Sequence, residues 1–165
     1  MGLPAAAQTP WKGENARLRA VDLLQLLVTA ALLSANAFFV LVEFALVKAR
    51  LTRLEELSAK GYTNAAVAKG LVQRLDEYLS ACQLGITMAS LGVGWIGEPA
   101  MARLVEPWVR AVRPATSQTV IHSIAFGVAF MAITFLHVVA GEQAPKLIAI
   151  RHAERSAMLS ARPMR

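Results

Sequence analysis

Residues 119–146 read TVIHSIAFGVAFMAITFLHVVAGEQAPK, and this stretch decides the fold. From Thr119 to Gly141 it holds no Asp, Glu, Lys or Arg, and only His122 and His137 could carry charge. About 20 apolar residues are enough to cross a hydrocarbon core as a helix, so the stretch reads as a membrane span. It closes on Gly141-Glu142-Gln143-Ala144-Pro145-Lys146, which sets a carboxylate, a proline and an ammonium at its end. An ionisable group at the centre of a membrane helix costs roughly 2.5–3.5 kcal/mol and usually faces an ion path or a partner. Glu142 is therefore the first candidate for function. Glu43 repeats the pattern inside another apolar run.

Two further runs have the length of a span. Leu23–Val47 is interrupted only by polar Gln25, Asn36 and Glu43 among shorter hydroxyl residues. Tyr78–Gly97 is uncharged but rich in small residues, among them Gly85, Gly92, Gly94 and Gly97, which let neighbouring backbones approach closely. Glu98-Pro99 stops this second run, and Trp95 and Trp108 suit a membrane–water boundary. Lys12, Arg17 and Arg19 before Leu23–Leu33, with Ala35-Asn36-Ala37 after it, imitate a cleavable signal peptide. Apolar Phe38-Phe39-Val40-Leu41-Val42 continues past that point, however, so the run is read as a retained span.

Composition agrees. The 165 residues are 56% hydrophobic and 17% charged, against roughly 45–50% and 25% in soluble domains. The net charge of +6 has no basic block interleaved with aromatics, which argues against nucleic acid as a partner. The basic residues lie between the apolar runs, where membrane lipid is the expected partner. The single Cys82 excludes an intramolecular disulfide and a cysteine metal cluster, and it reads as a buried structural thiol.

The expected fold is an all-α membrane protein with three transmembrane helices, at about 23–47, 78–97 and 119–141. Between the first two, Leu51, Leu54 and Leu57, then Val67, Leu71, Leu75 and Leu79, mark two amphipathic helices around a Gly61–Asn64 turn. A cytoplasmic-side helical hairpin over 48–77 follows, packed on the spans or lying at the inner surface. Lys48–Arg74 carries six basic residues and Lys146–Arg165 five, whereas the leading segment and the Arg103–Arg113 loop carry three each. The eleven-to-six division predicts a multi-pass plasma (inner) membrane protein with residues 1–22 outside, a transport domain over 23–146, and 147–165 in the cytoplasm.

Inside the membrane the candidate ligands are oxygens. Asn36, Val40 and Glu43 share a face of the first helix, Ser34 lies opposite Glu43, and Thr87, Ser90 and Gly94 follow one stripe of the second. Asn36, Thr87, Ser90 and Glu142 together offer an amide oxygen, two hydroxyls and a carboxylate. Hard cations such as Mg²⁺ and Na⁺ want that set, while zinc or copper would want His or Cys. Ser34, Glu43, Gly94, Gly141, Pro145 and Lys146 are candidates to support such a site or line an ion path. The plainer alternatives are also physical: Ser and Thr bonding the i−4 carbonyl, Asn36 as interhelical glue, and Glu142 pairing with Lys146. His122 and His137 read as interfacial or packing residues. No nucleophile–base pair, phosphate loop or HExxH pattern occurs, so an enzyme is not expected.

The stretches 34–46 (Ser34-Ala35-Asn36 to Phe44-Ala45-Leu46), 83–92 (Gln83-Leu84-Gly85 to Ser90-Leu91-Gly92) and Gly141-Glu142-Gln143-Ala144-Pro145-Lys146 resemble the N-terminal transmembrane domain of the CorC/cyclin-M family of magnesium transporters. The last is similar to the family's Gly-Glu-x-x-Pro-Lys motif. The resemblance implies three membrane helices with the N-terminus outside, a homodimer, and Mg²⁺ export coupled to Na⁺. It assigns Glu142 as the acidic ligand. Members often carry a polar pair at positions matching 36 and 40, so Val40 leaves Asn36 alone, and Thr87 and Ser90 stand where many relatives have Asn-x-x-Asn. The family's regulatory modules, a CBS pair that binds ATP and a small C-terminal domain, are not in this sequence, and 147–165 reads as the start of the linker to them. The expected function is Mg²⁺ transport by alternating access. The alternative is a membrane anchor or scaffold whose polar residues glue helices together.

Overall fold

In a computed structural model, residues 12–164 are described, with side chains from Ala20 onward. Residues 1–11 of the expected outer segment 1–22, and Arg165, lie outside the described residues. The described residues form helices and turns without a strand. Helix α1 is Lys12–Lys48, followed by α2 (Leu51–Ala59) and α3 (Thr63–Gln73). Gly61 joins the last two at φ +89°, a conformation that costs a residue without Cβ little.

Helix α4 (Leu75–Gly92) runs through a π-helical segment, Val93–Gly97, into α5 (Glu98–Val112). Helix α6 (Gln118–Leu136) likewise runs through a π-helical segment, His137–Gln143, into α7 (Ala144–Arg151), and α8 (Ala153–Ser160) follows. Neither Glu98-Pro99 nor Ala144-Pro145 ends its helix, contrary to the reading of Glu98-Pro99 as a stop. Each proline stands in the first turn of the α-helix that follows a π segment, where a missing N–H is tolerated.

Three stretches are long and apolar enough to cross a membrane: Ala20–Lys48, Leu75–Val112 and Gln118–Arg151, of 29, 38 and 34 residues. This is a multi-pass membrane protein. At 1.5 Å per residue the last two measure about 57 and 51 Å, against ~30 Å of hydrocarbon, so they tilt, bend or project beyond it. Trp95 and Trp108 are both exposed, yet they lie about 20 Å apart along one helix and so mark two depths rather than one.

The spans approach closely. A Cβ added at Gly85 would stand 2.5 Å from the Phe39 ring, so α4 can lie this near α1 only through a glycine. At the far corner Arg110 ties α5 to α6 through Glu106 and Gln118. The apolar core gathers at the opposite end, where Val42, Ala45, Leu46, Leu54, Leu71 and Cys82 pack with Ala149, Ala157 and Ala161. Helices α2 and α3 pack on each other, and α3 and α8 pack on α1. Residues 147–160, read as the start of a linker, are thus helical and part of this core. Arg50 of the α1–α2 junction meets Glu154 of α8 at 3.2 Å. Partial burial works to raise the Glu154 pKa, but its own backbone N–H and the Arg50 hydrogen bond and charge outweigh it, leaving a net lowering.

Candidate functional site

Asn36, on the face of α1 turned to both other spans, is fully buried. Its Nδ2 donates to the Gly141 carbonyl at 3.0 Å. That carbonyl belongs to the π segment and lies four residues before Pro145, which has no N–H to offer it. Gly141 fits closely here: a Cβ would fall 2.9 Å from Leu33 Cδ1 and 3.1 Å from Asn36 Nδ2, so both side chains would have to give way to a larger residue. The motif's proline and glycine therefore do local work, one leaving a carbonyl without its usual helical donor and the other bringing it against α1.

The donors and acceptors then fix one another. A carbonyl only accepts, so the Asn36 amide nitrogen must face Gly141 and its Oδ1 must face Ser90. Ser90 Oγ donates to that oxygen at 3.1 Å. Its one proton is then used, so His137 Nε2, also 3.1 Å from Ser90 Oγ, must be the donor in that contact. His137 Nδ1 looks the other way, 3.8 Å from Glu142 Oε1, which is longer than a hydrogen bond and attractive only where the ring carries a second proton. A hydrogen-bonded chain thus links all three spans through Gly141, Asn36, Ser90 and His137, with the Glu142 carboxylate beyond hydrogen-bond distance of its end.

Of the residues expected from sequence, Asn36, Ser90 and Gly141 come together, the Glu142 carboxylate approaches them only through His137, and Pro145 is buried four residues after Gly141. Thr87 does not join: it is exposed and its hydroxyl donates to the Gln83 carbonyl at 2.9 Å. Ser34 is also exposed and bonds the Ala30 carbonyl at 2.8 Å. Gly94 is exposed, with open space where a Cβ would go. Glu43 is half-buried and Val40 buried, one and two turns beyond Asn36 for Val40 and Glu43 respectively. Lys146 sits 4.6 Å over the Phe44 ring, a cation–π contact, and the alternative pairing with Glu142 is not formed. His137, read as a packing residue, is the member that sequence reasoning missed. Its signal was present: it lies five residues before Glu142, and one π turn, at i→i+5, sets such residues one above the other.

Residues 27–165 match the family described as Cyclin M transmembrane N-terminal domain. The chain belongs to this family. Among curated proteins, the UPF0053 protein YhdT of Bacillus subtilis is 44% identical over 144 residues, which are 87% of this chain and 31% of YhdT. The UPF0053 protein YhdP of the same organism is 44% identical over 144 residues, 87% of this chain and 32% of YhdP. The chain therefore spans about a third of the length of these relatives. As a cyclin M transmembrane domain, it builds its three-span junction from Asn36, Ser90, His137 and the Gly141-Glu142 pair.

Proposed function

We propose that this cyclin M domain carries Mg²⁺ across the membrane, in exchange for Na⁺ and by alternating access. The observation that carries the reading is the junction itself: the oxygens of Asn36, Ser90 and Gly141 are hydrogen-bonded into one network across three spans, and the Glu142 carboxylate, next to Gly141 in the chain, lies 3.8 Å from the His137 ring that bonds Ser90. These are hard oxygen donors with one negative charge, the chemistry that suits a small divalent cation keeping some of its water. One carboxylate among neutral oxygens also favours a site that must release its ion. In this reading Glu142 supplies the charge, Ser90 and Asn36 orient, and His137 holds the Ser90 hydroxyl. Thr87, whose hydroxyl bonds its own helix, has no supporting contact as a ligand.

A second reading has its own support. Asn36, Ser90 and Gly141 satisfy one another, as helix glue in a plain anchor would. Glue needs no carboxylate, and that separates the two. Glu142→Gln keeps the shape and removes the charge, and it should weaken Mg²⁺ binding to the purified chain by on the order of a hundredfold in isothermal titration. Near-normal affinity and flux in that variant would remove the transport reading.

A further inference from the structure

The junction at Asn36 has a counterpart one heptad away. Asp22, Thr29, Asn36 and Glu43 recur every seven residues along α1, which puts them on one face, each about 10.5 Å from the next. Asn36 meets the Gly141-Glu142 pair in the π segment before Pro145. Thr29 meets Gly97, the residue that closes the other π segment, and Gly97 is followed at once by Glu98 and Pro99. The chain thus uses one construction twice: a Gly-Glu pair in or against a π segment, a proline just after it, and a small polar residue of α1 facing the glycine.

Three observations give this second level its chemistry. Thr29 is 6% exposed, and a Cβ at Gly97 would stand 2.6 Å from its Cγ2 and 3.3 Å from its Oγ1. Ile133 of α6 closes on the same point at 3.4 Å, so all three spans meet here as they do at Asn36. Glu98 Oε1 is buried without a hydrogen-bond partner among the described residues. The nearest basic residue along the chain, Arg103, directs its guanidinium to Asp22 at 2.6 Å and to Gln25 instead. Thr29 donates its own proton to the Gln25 carbonyl at 2.7 Å, which leaves its oxygen lone pairs free to face a cation. A buried carboxylate oxygen with neither a donor nor a counter-charge is costly unless a positive species meets it.

We infer that Glu98, with Thr29 and the carbonyls of the Val93–Gly97 segment, forms a second station for a hard cation, one heptad from the Asn36–Glu142 junction toward the Asp22–Arg103 end. The inference rests on the ion-carrying reading of this domain and adds a site to it. Its ligand is a hard cation of the transported pair, Mg²⁺ or Na⁺. The Asp22–Arg103 ion pair, one heptad further on, stands at the end of the same polar stripe.

The test is cation binding to the purified chain, with Mg²⁺ titrated in Na⁺-free buffer and radioactive Na⁺ in Mg²⁺-free buffer, for the wild type, Glu98→Gln and Glu142→Gln. Glu98→Gln should lower one of the two affinities by on the order of a hundredfold while Glu142-dependent Mg²⁺ binding persists. Loss of one Mg²⁺ equivalent names Mg²⁺ as the occupant, and loss of bound Na⁺ names Na⁺. Thr29→Val, nearly isosteric, should weaken the same cation by about tenfold, and it serves where Glu98→Gln fails to fold. Unchanged binding of both cations in Glu98→Gln, or in Thr29→Val should the first not fold, overturns the station. Mg²⁺ binding that ignores Glu142 while Glu98→Gln still loses a cation would instead overturn the junction and leave the station standing.

Discussion

Ser90 and Thr87 look alike on paper, and the fold treats them differently. They are three residues apart, within about 60° of each other on the α4 surface, so helical spacing alone could not rank them. The ranking comes from where α1 and the His137 segment pack, which is tertiary information. Ser90→Ala should strand Asn36 Oδ1 and the His137 Nε2–H, costing about 1–3 kcal/mol. Thr87→Val removes a hydroxyl that bonds only its own helix, and it should stay within about 0.5 kcal/mol. Chemical unfolding in detergent checks both, and equal losses would mean that Ser90 is no more embedded than Thr87. Asn36 and Glu142 were legible because a polar atom in an apolar run demands a reason. His137 was not, because one histidine in such a run has many ordinary uses, and its partner Ser90 lies 47 residues away.

At the scale of elements, the three spans were plain from length and hydropathy, but their continuity was not. A proline in sequence signals a helix end, and only the π register explains how α4–α5 and α6–α7 pass through theirs. That register depends on which carbonyls find partners elsewhere, and for Gly141 the partner is on another helix. Pro145→Ala returns an N–H to position 145 that competes with Asn36 for this carbonyl. It should leave the helix content unchanged and the thermal stability no lower, while Mg²⁺ affinity falls. Circular dichroism and titration on one sample test this, and undiminished affinity would show that the proline is incidental.

Helix α8 offers an independent check on its docking. The Glu154 pKa is lowered in the folded chain, so its contribution is present above the ordinary carboxylate value of 4.5 and is lost as pH falls through the lowered value. Hydrogen exchange in α8 should therefore rise as pH falls below the ordinary carboxylate range, and in Glu154→Gln that acid-induced rise should disappear.

Over the whole molecule, the eleven-to-six distribution of basic residues makes a claim about sides. A cysteine placed in the Gly61–Asn64 turn should resist impermeant thiol reagents in intact cells, and one at Thr116, between α5 and α6, should be labelled. Cys82 is buried, so background labelling should be low. The reverse pattern would turn the molecule over. The all-helical class was readable from composition, whereas the packing of α8 into the core was not, since its buried face is made of Ala153, Ser156, Ala157 and Ser160, small residues without a strong apolar signal. One contact also sets a timetable. Asn36 bonds a carbonyl 105 residues further along the chain. At 5–20 residues per second, roughly 5–20 s of synthesis separate the two partners. Through that interval the first helix holds an amide in the bilayer with its eventual acceptor not yet made, so α1 reaches its final seat only after the third span has left the ribosome.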